Sequence, residues 1–394
     1  MTTRLLMAVL MVTMLGAAAA REPYRPDDDE QVLLRLNDRE DPEVSEVWAA
    51  RKAMRDAPGE LSPALDFARR AIEAGRQRAE PRFMSYAEAA IAPWNDADPP
   101  LEVRVIRATL AQHRHDFEAA LADLDAVLAE APRHAQARLT RSVIRRVQGD
   151  PQAALRDCAA LVGVASPLVA STCVADSASL GRQPDAALTL LQTAIERATQ
   201  APLAERRWAF TVRAEIAERL GRDDTERCFR EALNLGRAER PDPYLLYAYA
   251  DFLLEMQRPD EARALLLPHA ALDGALLRLA IAETRLLPGQ PGLKPALEAR
   301  KNLIATRFDM SRRRGDTPHQ RELARYLLEV EADPVAALPV ALNNWAQQRE
   351  PADALLVLKA AAGADRREAA RPVRDWLRDT GVQDQRITRH LAAP

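Results

Sequence analysis

An all-α solenoid of about eight helical hairpins is the fold that this 394-residue sequence predicts. Three observations predict it. The segment from Arg107 (RATLAQHRHDFEAALADLDAVLAEAP) and the segment from Arg141 (RSVIRRVQGDPQAALRDCAALVGVAS) share one pattern at an offset of 34 residues. Asp116 falls on Asp150, Ala120 on Ala154, Leu121 on Leu155 and Asp123 on Asp157, and a fixed period of this size marks a repeat array. Helical periodicity runs through nearly every window from about Val44 onward, and strand alternation through none. Apolar residues make up 47% of the chain, with 5% aromatics and only 14 glycines, a balance that suits helices packed closely through alanine.

Residues 1–20, MTTRLLMAVLMVTMLGAAAA, read as a secretory leader. Arg4 supplies the positive start, Leu5 to Leu15 the apolar stretch, and Ala18 to Ala20 the small residues of a cleavage site. The apolar run is short for a membrane span, which needs about 20 residues. Cleavage near Ala20 would place the mature chain outside the cytoplasm, in a periplasm. Residues 21–43 form a polar lead-in with acids at Asp27, Asp28, Asp29 and Glu30, read as a solvated tail. Loss of Arg4 with the leader takes the formal charge from −3 to −4. So small a charge argues against a nucleic-acid partner, which usually needs a basic stripe.

Breaks between helices fall at Pro81, Pro93, Pro99–Pro100, Pro132, Gly149–Asp150–Pro151, Gly181, Gly221, Pro241, Pro259, Pro288–Gly289, Gly315, Pro334, Pro351 and Gly381. This is the spacing of helical hairpins, and several prolines sit where the first turn of a helix tolerates them. Residues 44–270 carry the clearest pattern. Residues 271–394 are read as degenerate helical repeats and a C-terminal cap, with a long hairpin ending at Arg312–Arg313–Arg314 before Gly315.

The pattern resembles that of tetratricopeptide repeat proteins. That family places small residues at repeat positions 8 and 20 and apolar ones at 24 and 28. The first clear repeat has Ala108, Ala120, Leu124 and Leu128 there; the second has Ser142, Ala154, Cys158 and Val162. A third carries Ala175, Ala187, Leu191 and Ile195, a fourth Ala214, Phe229 and Ala232, and a fifth Ala250, Leu253, Ala262 and Leu266. The resemblance implies a right-handed superhelix whose small residues mark helix crossings. It also implies a concave binding face lined by the first helix of each hairpin. Carried onto this chain, those positions are Val143, Arg146, Trp208, Thr211, Glu215, Arg219, Tyr244, Tyr247 and Asp251. Aromatic and arginine side chains are favoured anchors for a peptide or protein partner, while the same aromatics could equally close gaps between repeats.

Cys158 and Cys173 lie almost equidistant from a turn expected near Ala165–Ser166. In antiparallel helices this brings them level, and a disulfide between them is expected in an exported chain. The alternative is two buried thiols. Cys228 has no evident partner. His113 and His115 flank a hairpin turn and could hold a metal only if the helix ended between them, since residues two apart on a helix point away from each other. No catalytic or phosphate-binding motif is present, and no cofactor is expected. The leading expectation is therefore a non-catalytic exported scaffold for a protein or peptide. The alternatives are an accessory factor of a metal-transport system and an enzyme with an unrecognised site.

Overall fold

The computed structural model describes Asp28 and residues 42–96, 98–235, 241–313 and 320–392. The leader, nearly all of the acidic lead-in and Arg314–Gly315 lie outside the described residues. The chain divides after Ser45, and the helix pairs lie in the second unit, Glu46–Pro394.

All regular structure among the described residues is helical. After α1 (Pro42–Asp56), eight successive helix pairs follow. They are α2 (Leu61–Arg78) with α3 (Arg82–Ile91), α4 (Leu101–His113) with α5 (Phe117–Glu130), α6 (Ala135–Val147) with α7 (Pro151–Ala159), and α8 (Pro167–Ala178) with α9 (Pro184–Arg197). Next come α10 (Leu203–Leu220) with α11 (Thr225–Asn234), α12 (Pro243–Glu255) with α13 (Pro259–Leu266), α14 (Asp273–Leu286) with α15 (Lys294–Arg313), and α16 (Gln320–Glu329) with α17 (Pro334–Gln347). The chain finishes with α18 (Pro351–Gly363), α19 (Arg371–Thr380) and α20 (Gln385–Ala392). Among the described residues this is an all-α helical-repeat solenoid.

The turns carry the expected chemistry. Proline occupies the opening positions of α7, α8, α9, α12, α13, α17 and α18, where no backbone N–H is needed. Asp116 and Asp150, one period apart, both cap the following helix, accepting from the N–H of Ala119 and Ala153. The residue before each cap is left-handed in both repeats: His115 has φ 60° and Gly149 φ 83°. A histidine thus fills a turn position that glycine fills one repeat later.

The recurring residues are packing residues. Ala108, Ala120, Ala154, Ala175, Ala214, Ala250 and Ala262 have no exposed surface, as helix crossings demand. The other shared pair is ionic. Arg107 of α4 binds Asp123 of α5, and one period later Arg141 of α6 binds Asp157 of α7. The offset therefore repeats a helix-pairing salt bridge as well as a crossing point. Position 28 departs from the pattern in the second repeat. Val162 is 70% exposed because α7 stops at Ala159, and the turn that follows buries Leu161 in its place.

That short α7 brings Cys158 level with Cys173 of α8. The two are joined in a disulfide, with Cα atoms 5.3 Å apart. Cys228 is a buried free thiol.

Candidate binding face

The first helices of successive pairs touch one another from α2 to α16, forming a continuous layer. Val143 and Arg146 stand on α6, Trp208, Thr211, Glu215 and Arg219 on α10, and Tyr244, Tyr247 and Asp251 on α12. The structure brings part of this set together. Tyr244 donates its hydroxyl to Glu215 across α10 and α12 and remains 60% exposed. Arg146 bridges to Asp176 of α8 at 3.2 Å. Arg219 is buried and donates to Ser179 Oγ at 2.6 Å, at the end of α8. Trp208 is half-buried against the apolar residues of α8 and α9, beside the disulfide cluster. Thr211 is buried and turns its hydroxyl back to the Arg207 carbonyl. Val143 lies beside Ser142 and Trp208. Tyr247 is half-buried, with the Arg278 guanidinium 4.8 Å from its ring centre and its ring edge over Gly274, where a Cβ would collide.

The rest of this face is a charge network that sequence reading did not find. Its members come from helices far apart in the chain. Asp251 is gripped by Arg278 of α14 and Arg325 of α16 at 3.0 Å. Burial disfavours the charged carboxylate, but the two guanidinium groups outweigh it and hold Asp251 at about 2. Arg146 also binds Glu350 at 2.8 Å, and Arg386 binds Glu218 at 3.1 Å. Lys359 reaches Glu255. The sequence holds one trace of this network: Arg321 and Arg325 sit one turn apart on α16, a spacing that puts two cations on one helix face.

Glu218 is the anomaly in this network. Burial raises its carboxyl from an ordinary 4.5 to about 7, Arg386 offsetting only part of the cost while Asp384 and Glu215 add to it. A raised acid pKa means that ionisation works against the fold. The cost begins as pH rises past about 4.5 and is complete above about 7. Glu218→Gln is therefore expected to stabilise the protein by roughly 3 kcal/mol above about pH 7 and by nothing below about pH 4.5. Arg386 keeps Asp384, 2.6 Å away, as its partner. Thermal melts at both pH values check this; equal midpoint shifts at the two would refute it.

The histidines occupy turn positions. His113 ends α4, and His115 lies 5.6 Å from the Phe117 ring with its Nδ1 3.1 Å from Gln348 Nε2. Among the described residues, no group of three or more His, Cys, Asp or Glu side chains could hold a metal ion.

No family model matches the chain, and no curated protein matches it. Solved structures do. A tetratricopeptide repeat protein from Parabacteroides merdae is 15% identical, covering 58% of this chain and 86% of its own length with a TM-score of 0.41. The human IFIT1 dimer with m7Gppp-AAAA is 13% identical, covering 85% of each chain with a TM-score of 0.45. The TPR domain of P58(IPK) is 16% identical, covering 83% of this chain and 95% of that one with a TM-score of 0.24.

Proposed function

We propose that this helical-repeat array is an exported scaffold that holds a protein or peptide on the face of α6, α8, α10 and α12, without catalysing a reaction. The observation that carries the reading is Tyr244. It is a large aromatic side chain left mostly exposed in a layer of otherwise paired charges, and it is positioned by Glu215. Aromatic anchors set among polar groups are the usual sources of binding energy at protein interfaces. The disulfide supports export, since such bonds persist in oxidising compartments. Among the described residues, no helix is long and apolar enough to cross a membrane.

The test begins with fractionation. The protein is expected outside the cytoplasm, with its N-terminus near Arg21. Crosslinking from that fraction should recover one stoichiometric protein partner. Tyr244→Ala should weaken recovery at least tenfold, or by about 1.4 kcal/mol, with helicity unchanged. Trp208→Ala should do the same at some cost in stability. Capture unchanged in both variants would remove this face as the binding surface.

A further inference from the structure

The last four helices form a body with its own interior. Its apolar core gathers Leu338, Trp345, Leu356, Val373, Trp376 and Ile387, with neighbours from α16 to α20. Among the described residues, no side chain from α2 to α15 belongs to it. The attachment of this body to the array is asymmetric. On one side it is tied by α16, whose Tyr326, with Val330 just after the helix, lies in the apolar cluster shared with α10 to α15. On the other side it meets the middle repeats through polar contacts.

Those polar contacts follow the array's own period. Gln348 meets His115 in the turn of α4 and α5. The Arg349 N–H donates to the Val147 carbonyl at 2.7 Å, and Trp376 Nε1 donates to the Gly149 carbonyl at 3.1 Å, in the next turn. Gln383 Nε2 donates to the Arg182 carbonyl at 3.3 Å in the third turn. Gln385 sits against Gly221 in the fourth, so closely that a Cβ there would overlap its amide. Gly149 is likewise hemmed in by Arg349 and Trp376. Two ion pairs then reach from the turns onto the candidate face itself, Glu350 to Arg146 and Arg386 to Glu218.

We propose that α17–α20 form a lid, closed by polar contacts over four successive inter-helix turns, which opens about its α16 attachment and uncovers Arg146 and Glu218 for the partner. The physical basis is the contrast between its two sides. Separating the lid from the turns exposes no shared apolar core, so the opening avoids the main cost of unfolding. The two ion pairs of the seam are mostly buried, so salt screens them little, and removing a partner by substitution is what loosens the seam. The lid thus regulates the face assigned above and rests on that assignment.

Hydrogen exchange by mass spectrometry on the full chain tests it without a partner. Peptides covering 348–353 and 376–388 should exchange together, faster than those covering 137–147 and 209–219. In Arg386→Gln, which removes the pair to Glu218, exchange of the lid peptides should accelerate roughly tenfold while the repeat peptides stay constant. If that variant fails to fold, the comparison of lid and repeat peptides in the unaltered protein still decides. Equal protection of lid and repeats, or equal acceleration of both, would overturn the lid. Failure here leaves the Tyr244 and Trp208 tests untouched. A lid that opens while those substitutions change nothing would refute the binding face alone.

Discussion

Replacing Arg321 with methionine is expected to destabilise the protein by about 3–5 kcal/mol, the cost of leaving a buried charge without its counter-ion. Arg321 of α16 grips Asp353 through two nitrogens, at 2.5 and 2.6 Å, and reaches Glu350 at 2.8 Å. Asp353 has no exposed surface. It also takes Asn344 Nδ2 at 2.7 Å and the Glu350 N–H at 3.1 Å, the second of these closing the capping box of α18. Two amide donors stabilise a carboxylate but do not neutralise it. Methionine matches much of the arginine stem and supplies no charge, so the variant isolates the electrostatic loss. Denaturant midpoints measure it. The double variant Arg321→Met with Asp353→Leu should recover most of the loss, because neither charge then remains to be desolvated. A single-variant loss under about 1 kcal/mol would mean that water reaches Asp353 and that the network is ornamental.

Opening the Cys158–Cys173 disulfide should cost about 3 kcal/mol, the loop-closure entropy of a 15-residue separation. Both residues are buried, and Ser142 and Ser177 hydroxyls lie 3.3 and 3.4 Å from the two sulfurs. Serine at either position would find a hydrogen-bond partner there, so alanine at both is the sharper comparison. Thiol labelling in denaturant without reductant should modify Cys228 alone. Labelling at all three cysteines would show that the bond does not form in the cell. A stability loss confined to α7 and α8 by hydrogen exchange is the expected pattern, since a solenoid's repeats depend mainly on their neighbours.

How much of this was legible in the sequence depends on the distance over which each feature is determined. The hairpins, their turns and the crossing alanines follow from spacing, because a helix face repeats at a fixed interval along the chain. The disulfide was legible for the same reason: two residues equidistant from a turn meet across it. Val162 shows the limit even locally. It occupies the right repeat position, but α7 ends three residues before it, and the pattern cannot register where a helix stops. The candidate face was legible only as a set of residues on first helices. Their partners were not. Arg278, Arg325, Glu350 and Arg386 carry no common spacing to Asp251, Arg146 or Glu218, and they meet only because α14 to α20 pack where they do.

By itself, then, the sequence determined the repeat, its small-residue crossings, the breaks between helices and the one staple between repeats. These are interactions between near neighbours in the chain, written in periodic residue types. The tertiary structure alone decided that the final helices lie across four turns of the middle repeats and that their charges complete the inner face. Such pairs join residues as far apart as Arg146 and Glu350, and no local periodicity encodes them. Charge on a helix surface reads as solvation until the fold brings its counter-charge and removes the water between them.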